Sequence, residues 1–240
     1  MRKIFNLLLG FLISLSISGF LFSCNNTSLN RENHGTEINN DRQQSSLTVF
    51  LIPLDGIKID RVNKLKKEFE TKYQELFEKP CLVEVLDPWN MPDSCFSLKF
   101  NRYLAPKMIS SLKSQFKDTA KKRSKENAPS DWGKYFGIGY DYYIIGVTDK
   151  DISTAIHGRE NFGILGLSTY GGDTSVISTY RLKREQDLWK LAIHEFGHGF
   201  FNLRHCPVDD VNCIMADAKG KNPHFELKED FCDNCRANIK

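Results

Sequence analysis

A short stretch of the chain carries residue types that bind transition metals. His194 and His198 are four positions apart, so in a helix of 3.6 residues per turn both imidazoles lie on the same side. Glu195 follows His194 directly and can exchange protons beside a metal ion held by the two rings. The pattern therefore predicts a zinc site on a helix.

A third histidine, His205, follows the predicted end of that helix. Asn202 precedes it, and asparagine is second only to glycine in adopting the left-handed conformation that ends a helix. The chain can then turn back and bring His205 to the same metal. Three neutral imidazoles leave the fourth tetrahedral position open, as a catalytic zinc requires. We therefore expect a zinc hydrolase.

A group of cysteines follows the histidines in the chain: Cys206, Cys213, Cys232 and Cys235. Four thiolates from two short segments suit a closed tetrahedral zinc site, which adds folding free energy. Two disulfides, or a redox-active Cys-x-x-Cys, are the alternatives. Zinc is favoured, because the cysteines are clustered and no thioredoxin-like pattern precedes the Cys-x-x-Cys. We expect Cys81 and Cys95 to be buried apolar residues.

Length and composition favour one folded domain behind a leader. The chain has 240 residues, of which 40% are hydrophobic, so it can bury a substantial core. Its formal net charge is +3, and Arg2 and Lys3 of the leader supply two of these charges. The remainder is close to neutral, which gives no reason to expect a nucleic-acid partner.

Residues 1–24 have the pattern of a targeting signal. Arg2 and Lys3 precede the apolar run Ile4–Phe22, and Leu21-Phe22-Ser23-Cys24 resembles the lipobox of bacterial lipoproteins. That resemblance implies cleavage before Cys24 and lipidation of its thiol; an uncleaved transmembrane anchor is the alternative. Residues 25–46 are polar and are predicted to form a flexible tether. We expect a lipoprotein of the cell envelope, anchored to a membrane through Cys24 on the periplasmic or surface side.

Apolar patterns over residues 47–240 alternate between strands and helices. The predicted strands are Leu47–Pro53, Leu82–Leu86, Tyr140–Val147, Gly163–Tyr170 and Thr174–Tyr180, with a hairpin turn at Gly171-Gly172. The predicted helices are Asp60–Phe77, Asn101–Arg123 and Gln186–Phe200. The predicted loops are Trp89–Cys95, Lys121–Asp131 and Asp149–Asn161. The order indicates an α/β fold, a mixed twisted sheet packed on long helices.

One strand of the predicted hairpin is a candidate peptide-binding edge. An edge strand presents unpaired amides and carbonyls to which an extended peptide can add as a further strand. An ordinary edge strand that binds nothing is the alternative. The candidate residues are Gly163, Ile164, Leu165, Gly166, Leu167, Ser168, Thr169 and Tyr170.

The combined pattern resembles the archaemetzincin family, a branch of the metzincin metallopeptidases. The matching elements are His194-Glu195, His198, His205-Cys206, Cys213-Ile214-Met215 and Cys232-Asp233-Asn234-Cys235. Ile144–Asp149 and Val176–Leu182 upstream also match. The resemblance covers essentially all of residues 47–240, and the combined motif is highly specific.

The resemblance implies an α+β zincin-like fold with an antiparallel edge strand beside the active-site cleft and a small irregular C-terminal subdomain. It implies two zinc ions per chain, a catalytic one on His194, His198 and His205 and a structural one on the four clustered cysteines. Met215 would lie beneath the catalytic metal. A peptide or protein substrate is expected, and the chain is expected to be a monomer.

This chain departs from the family pattern in two spacings. Six residues, Gly199–Arg204, separate His198 from His205, one more than in the family, and Asn202 stands near the place of the family's glycine. The segment from Cys206 to Cys213 is also longer. We expect the extra residue to lengthen the end of the helix and to leave His205 in place as a ligand.

The sequence therefore predicts a zinc-dependent metallopeptidase in which Glu195 activates a zinc-bound water to hydrolyse peptide bonds. One alternative is a catalytically inactive zincin-fold surface lipoprotein that binds peptides or proteins, which the lengthened segment after His198 favours. Another is a wholly structural role for the histidines and cysteines. The presence of Glu195 argues against both, since neither needs a carboxylate there.

Overall fold

The computed structural model describes residues 47–127, 141–156, 158–219 and 223–239. The strands are β1 (Leu47–Pro53), β2 (Leu82–Val85), β3 (Phe96–Ser97), β4 (Arg102–Leu104), β5 (Asp141–Thr148), β6 (Ile152–Ile156), β7 (Arg159–Ile164), β8 (Gly166–Ser168) and β9 (Thr174–Ser178). The helices are α1 (Ile59–Phe77), α2 (Ala105–Asn127), α3 (Leu188–Gly199) and α4 (Asp233–Arg236). The predicted signal sequence, Cys24 and the tether lie outside the described residues.

The main sheet has five strands in the order β2-β1-β5-β9-β8. β1 pairs in parallel with β2 and β5, and β5 pairs in parallel with β9, whereas β8 is antiparallel to β9 and lies at the edge. All seven residues of β1 are buried, as expected for a parallel strand that is covered on both faces. The predicted mixed α/β fold with an antiparallel edge strand is confirmed.

Helices cover both faces of the main sheet. On one face, Val49 and Leu51 of β1 belong to an apolar cluster shared with α1 and α3. On the other face, Phe50 and Ile52 belong to a cluster shared with α2. This alternation follows the two-residue period of a strand. The apolar side chains on one face of the sheet pack against α3 and hold the helix in place.

A second sheet of four strands has the order β3-β4-β6-β7. It shows that the prediction of a loop over Asp149–Asn161 is wrong, because β6 and the first half of β7 lie there and form part of an antiparallel pair. These strands are short, and polar residues interrupt their apolar positions, so they give no apolar run in the sequence. Arg102 of β4 donates hydrogen bonds to Asp151 and to the side chain of Asn161, which ties β4 to the neighbouring segments.

The bounds of α2 differ from the predicted Asn101–Arg123. Asn101 has a φ of 51°, a left-handed conformation that cannot begin a helix, so the helix starts at Ala105 and its first turn contains Pro106. At the other end α2 continues to Asn127, which makes the loop predicted over Lys121–Asp131 wrong as far as residue 127. The Ser124 hydroxyl donates to the Asp141 carbonyl at 3.0 Å and fixes this extended end to β5.

The segment predicted as one strand over Gly163–Tyr170 is divided between the two sheets. Gly163 and Ile164 end β7 in the second sheet, and only Gly166–Ser168 form the edge of the main sheet. Leu165 lies between them, and its carbonyl accepts a hydrogen bond from the Ser178 amide at 2.7 Å. The edge strand is therefore shorter than predicted.

The C-terminal part is irregular, as the family resemblance implies. It contains the short helix α4, one 3₁₀ turn at Phe225–Leu227 and an isolated bridge between Cys213 and Asp230. Among the described residues, none of the helices has the length and apolar composition needed to cross a membrane.

Candidate metal centre

Helix α3 carries His194, Glu195 and His198, and all three side chains are buried. The chain leaves the helix through Asn202, whose φ of 55° is the left-handed conformation expected at this position. The Leu203 amide then donates to the Gly197 carbonyl at 3.0 Å. This turn reverses the chain and carries it back beneath the helix.

The reversed chain brings His205 to the other two histidines. The Nε2 atoms of His194 and His198 lie 3.1 Å apart, and the candidate ligand atoms of the three histidines all lie within 4.8 Å of one another. The His205 ring centroid is 4.7 Å from that of His198 and 5.5 Å from that of His194. The additional residue between His198 and His205 thus still allows the three rings to converge.

The second nitrogen of each ring faces an acceptor. His194 Nδ1 lies 2.7 Å from the Ile214 carbonyl oxygen, and His198 Nδ1 lies 2.7 Å from the Leu203 carbonyl oxygen. His205 Nδ1 lies 3.6 Å from a carboxylate oxygen of Asp217. The two carbonyls at 2.7 Å place the ring protons of His194 and His198 on Nδ1 and leave their Nε2 atoms free to bind a metal ion.

Burial keeps these imidazoles neutral. It lowers the pKa of His194 and His205, and it lowers the pKa of His198 to about 4. A neutral imidazole is the form that binds a metal ion. Three neutral histidine nitrogens in one small volume are a suitable donor set for zinc, so the residues present fit a catalytic zinc ion.

The Glu195 carboxylate lies against the edge strand β8. A Cβ atom at position 166 would lie only 2.6 Å from Glu195 Oε1, so the absence of a side chain at Gly166 makes room for the carboxylate. Burial raises the pKa of Glu195 to about 8. This carboxyl group can therefore both hold and release a proton near neutral pH.

The backbone beneath Glu195 is fixed by two hydroxyl groups. The Ser168 hydroxyl donates to the Glu195 carbonyl at 2.6 Å, and the Tyr143 hydroxyl donates to the same oxygen at 3.2 Å. Tyr143 is fully buried, and a Cβ atom at position 199 would overlap its hydroxyl, so Gly199 allows this contact. The sequence gives no sign of this support, since Tyr143 reads only as part of an apolar strand.

The histidines and Glu195 open onto a cleft of about 520 Å³. One wall is the segment Gly163–Ser168 with Tyr170, so every candidate edge residue except Thr169 lines the cleft. The lining also includes the apolar residues Leu191, Ala216 and Phe225. Lys190, one turn before His194, donates from Nζ to the Phe225 carbonyl at 2.8 Å.

A second cavity of about 570 Å³ lies near β3 and β4. Its charged side chains include Arg102 and Asp151, which pair with each other at 2.7 Å. No histidine or cysteine lines this cavity. Of the two cavities, the cleft beside α3 is therefore the one with metal-binding side chains among the described residues.

The four C-terminal cysteines converge on a second centre. The Sγ atoms of Cys206, Cys213, Cys232 and Cys235 all lie within 4.8 Å of one another. Cys206 Sγ and Cys232 Sγ are 3.6 Å apart, and the Cys232 amide lies 3.4 Å from Cys213 Sγ. The thiols are free, and four sulfur donors at these separations fit a closed tetrahedral zinc site. Cys81 and Cys95 are buried in the two apolar clusters instead.

Met215 lies beneath helix α3, fully buried. A Cβ atom at position 197 would lie 2.7 Å from Met215 Sδ, so the thioether packs under Gly197, between His194 and His198 in the chain. The structure thus packs this methionine against the helix between the first two histidines.

A buried lysine that the sequence analysis missed lies next to this loop. Lys228 is 1% exposed, and its Nζ donates to the carbonyls of Cys213 and Ala216 at 3.2 and 2.7 Å. Burial lowers the pKa of Lys228 to about 8, partly offset by the nearby thiols of Cys213 and Cys206. No pattern in the sequence distinguishes it from the many exposed lysines, because its burial depends on tertiary structure alone.

Known proteins resemble this chain over most of its length, although no protein-family model matches it. It is 26% identical to archaemetzincin from Haloquadratum walsbyi over 204 residues, which cover 79% of this chain and 97% of that protein. Archaemetzincin from Haloarcula marismortui is 24% identical over 203 residues, covering 78% and 98% of the two chains.

Solved structures share the fold. The crystal structure of archaemetzincin from Archaeoglobus fulgidus complexed with malonate has a TM-score of 0.56 at 22% identity, and the match covers 80% of this chain and 99% of that one. A zinc-dependent peptidase from Methanocorpusculum labreanum has a TM-score of 0.57 at 21% identity, covering 80% and 100%. The chain is therefore similar to archaemetzincins over about four fifths of its length, in sequence and in fold.

Proposed function

We propose that this protein is a zinc-dependent peptidase that hydrolyses peptide bonds in its cleft, with zinc held by His194, His198 and His205. The observation that carries the proposal is the convergence of three neutral imidazoles beside a buried carboxylate, at one wall of an open cleft. Metal ligands alone would serve a structural site, but a structural site does not need the carboxylate or the cleft. The similarity to archaemetzincins and to a solved zinc-dependent peptidase supports the same reaction.

Glu195 is the proton carrier of the proposed reaction. When bound, zinc supplies Lewis-acid chemistry, polarising a carbonyl and making water more acidic. Glu195 accepts the proton of the attacking water and passes it to the leaving amine. Burial raises the pKa of this carboxyl group, which makes its carboxylate a stronger proton acceptor than an exposed one.

The edge strand β8 supplies a binding surface for an extended peptide. β8 pairs with β9 on one side, so its other side offers backbone groups to a substrate strand. Gly166 lies in this strand and contacts Glu195, which places the bound backbone close to the reacting groups. The apolar residues Leu191, Ala216 and Phe225, which also line the cleft, favour an apolar substrate side chain.

The cysteine cluster is proposed to hold a second, structural zinc ion. Four thiolates fill all tetrahedral positions, so this site has no place for substrate. Its metal would hold the irregular C-terminal part together, since that part has few helices and strands of its own. The proposed content is therefore two zinc ions per chain.

We also propose that the protein is a monomeric lipoprotein attached to a membrane through Cys24. The support is the sequence alone: a basic and apolar leader, a lipobox-like Leu-Phe-Ser-Cys and a polar tether over residues 25–46. Labelling cells with a radioactive fatty acid tests the anchor, because the full chain should incorporate the label and Cys24→Ala should not. Equal labelling of both would contradict it.

The test of the peptidase proposal combines a zinc count with peptide cleavage, both on the full chain. The parent is expected to contain about two zinc ions and to cleave unfolded polypeptides. His205→Ala is expected to lose about one zinc and all cleavage, whereas the exposed His224→Ala serves as the matched control and should lose neither. About one zinc in both parent and His205→Ala would overturn the catalytic site. Two zinc ions without cleavage would favour a peptide-binding module, which the longer segment after His198 otherwise suggests.

A further inference from the structure

The ammonium group of Lys228 lies between the two proposed metal sites. Its carbonyl partners belong to Cys213 and Ala216, the first and last residues of a four-residue loop. Its Nζ also lies 5.7 Å from the centre of the Phe225 ring, which lines the cleft. One buried cation thus holds both ends of a single loop.

Three of the four residues of the loop Cys213–Ala216 contribute to one site or the other. The Cys213 thiol belongs to the cysteine cluster. The Ile214 carbonyl faces His194 Nδ1 at 2.7 Å, and the Met215 carbonyl accepts the Cys206 amide at 2.8 Å. Cys206 in turn follows His205 directly, so the bond to Met215 also fixes the backbone next to the third histidine.

Burying an ammonium group is costly unless opposite charge and hydrogen-bond acceptors surround it. The acceptors here are carbonyl oxygens, which carry only partial charge. Four thiolates around one Zn²⁺ retain an excess of negative charge, and this excess would lie beside Lys228. The cation therefore favours the metal-bound form of the cysteine cluster while it restrains the loop.

We propose that Lys228 is a positioning residue that holds the loop Cys213–Ala216 in the shape both metal sites need, and so couples the two sites. The inference rests on the zinc sites proposed above. It assigns Lys228 an effect on the histidine site through Ile214 and Met215 rather than through direct coordination. Because coupling between two sites is reciprocal, emptying the cysteine site should also weaken zinc binding by the histidines.

The test compares full-length Lys228→Met with the parent, using zinc itself as the probe in competition with a chromophoric chelator. Outer partners of metal-binding histidines typically change metal affinity by about 10- to 100-fold, so we expect a loss of about that size at the histidine site. Cobalt substitution separates the sites, because only the cysteine site gives thiolate-to-metal charge transfer. Lys228→Gln keeps one donor without the charge and is expected to lose less.

Lys190→Met is the matched control. Lys190 is also largely buried, with its side chain 12% exposed, and its Nζ also donates to a backbone carbonyl, that of Phe225. That carbonyl lies outside the loop, so Lys190→Met should change zinc affinity at the histidine site by less than about 3-fold. An equal loss in both lysine variants would mean that general destabilisation is responsible, and would overturn the proposal.

Hydrogen exchange in the metal-free chain gives a readout that does not depend on zinc. The Ile214 amide donates to the Asp230 carbonyl and the Cys206 amide to the Met215 carbonyl, each at 2.8 Å. Both amides should exchange faster in Lys228→Met than in the parent, while amides of the main sheet stay unchanged. Unchanged exchange at both amides, or unchanged zinc affinity, would overturn the role of Lys228. A parent that binds no zinc at its histidines would instead overturn the proposed function and leave the exchange test decisive for Lys228.

Discussion

Gly166 and Glu195 lie so close together that the Glu195 carboxylate occupies the space that a side chain at position 166 would need. The Glu195 Oε1 atom occupies space only 2.6 Å from where a Cβ atom at position 166 would lie. The contact joins the edge strand β8 to the active-site helix α3. The strand proposed to bind the substrate therefore also sets the position of the proposed proton carrier.

Gly166→Ala is expected to lower kcat by about 100-fold, because a catalytic group displaced by about 1 Å can lose that much rate. Zinc content should stay at the parent value, since the new methyl group meets Glu195 and not a histidine. Peptide-cleavage kinetics and a zinc count check this. The matched control is Gly56→Ala, outside the cleft, where the new Cβ meets no atom within 4 Å. Equal kinetics for Gly166→Ala and the parent would contradict the assigned contact.

Glu195→Gln is expected to reduce turnover by about 10²- to 10⁴-fold, the usual contribution of a general acid or base. The amide has nearly the shape of the carboxylate, so the histidines should keep their zinc and the fold should be retained. Measuring both the cleavage rate and the zinc content separates a loss of proton transfer from a loss of zinc. Glu226→Gln, an exposed glutamate in the C-terminal part, is the control. Normal turnover by Glu195→Gln would remove Glu195 from the mechanism.

Cys232→Ser is expected to lose the zinc of the cysteine cluster. A structural zinc contributes folding free energy directly, so the melting temperature should fall by about 10 °C for a loss of about 3 kcal/mol. Differential scanning calorimetry and a zinc count are the measurements. Cys95→Ala, which lies in the apolar cluster under α2, should keep the zinc content of the parent. The same melting temperature in Cys232→Ser and the parent would argue against a structural metal.

Asp173 gives a pH-dependent contribution to stability at the turn before β9. Burial raises its pKa, but hydrogen bonds from Lys113, Thr174 and Tyr142 outweigh it and hold the pKa below the ordinary value of 3.8. The ionised carboxylate therefore stabilises the fold above pH 3.8, and this stabilisation is lost as the pH falls through the lower, folded-state pKa.

Asp173→Asn is accordingly expected to lower the free energy of unfolding at pH 7 by about 1 to 2 kcal/mol. The difference from the parent should shrink as the pH falls below about 3.8. Urea unfolding at a series of pH values measures it. The exposed Asp118→Asn on α2 is the control and should change little. A difference that is independent of pH would show that the charge of Asp173 is not what stabilises this turn.

The sequence could predict the residues whose neighbours are set by local geometry. His194 and His198 share a helix face because of their spacing, and Asn202 takes the left-handed conformation that its side chain tolerates. β1 is a long apolar run that is buried between β2 and β5 in the main sheet. In each case a few adjacent residues determine the outcome.

Features that depend on distant partners could not be predicted in the same way. β3, β4, β6 and β7 are short, and their pairing brings together segments separated by α2. Lys228 is buried only because the loop Cys213–Ala216 folds over it. The predicted strand is split at Leu165, because the residues before it pair in the second sheet and the residues after it pair in the main sheet. No local pattern of apolar residues indicates this division.

The hydrogen bond between His194 Nδ1 and the Ile214 carbonyl also determines the order in which the three-histidine site can be completed during synthesis. Chains are synthesised from the N-terminus, and domains fold as their segments become available. Helix α3 is made before Ile214, and Ile214 is made before Asp230 and Lys228, which restrain its loop. During translation the helix with its first two histidines and its glutamate is thus present without the segment that orients them. The proposed hydrolytic centre is finished last, so a nascent chain carries the motif before it carries the activity.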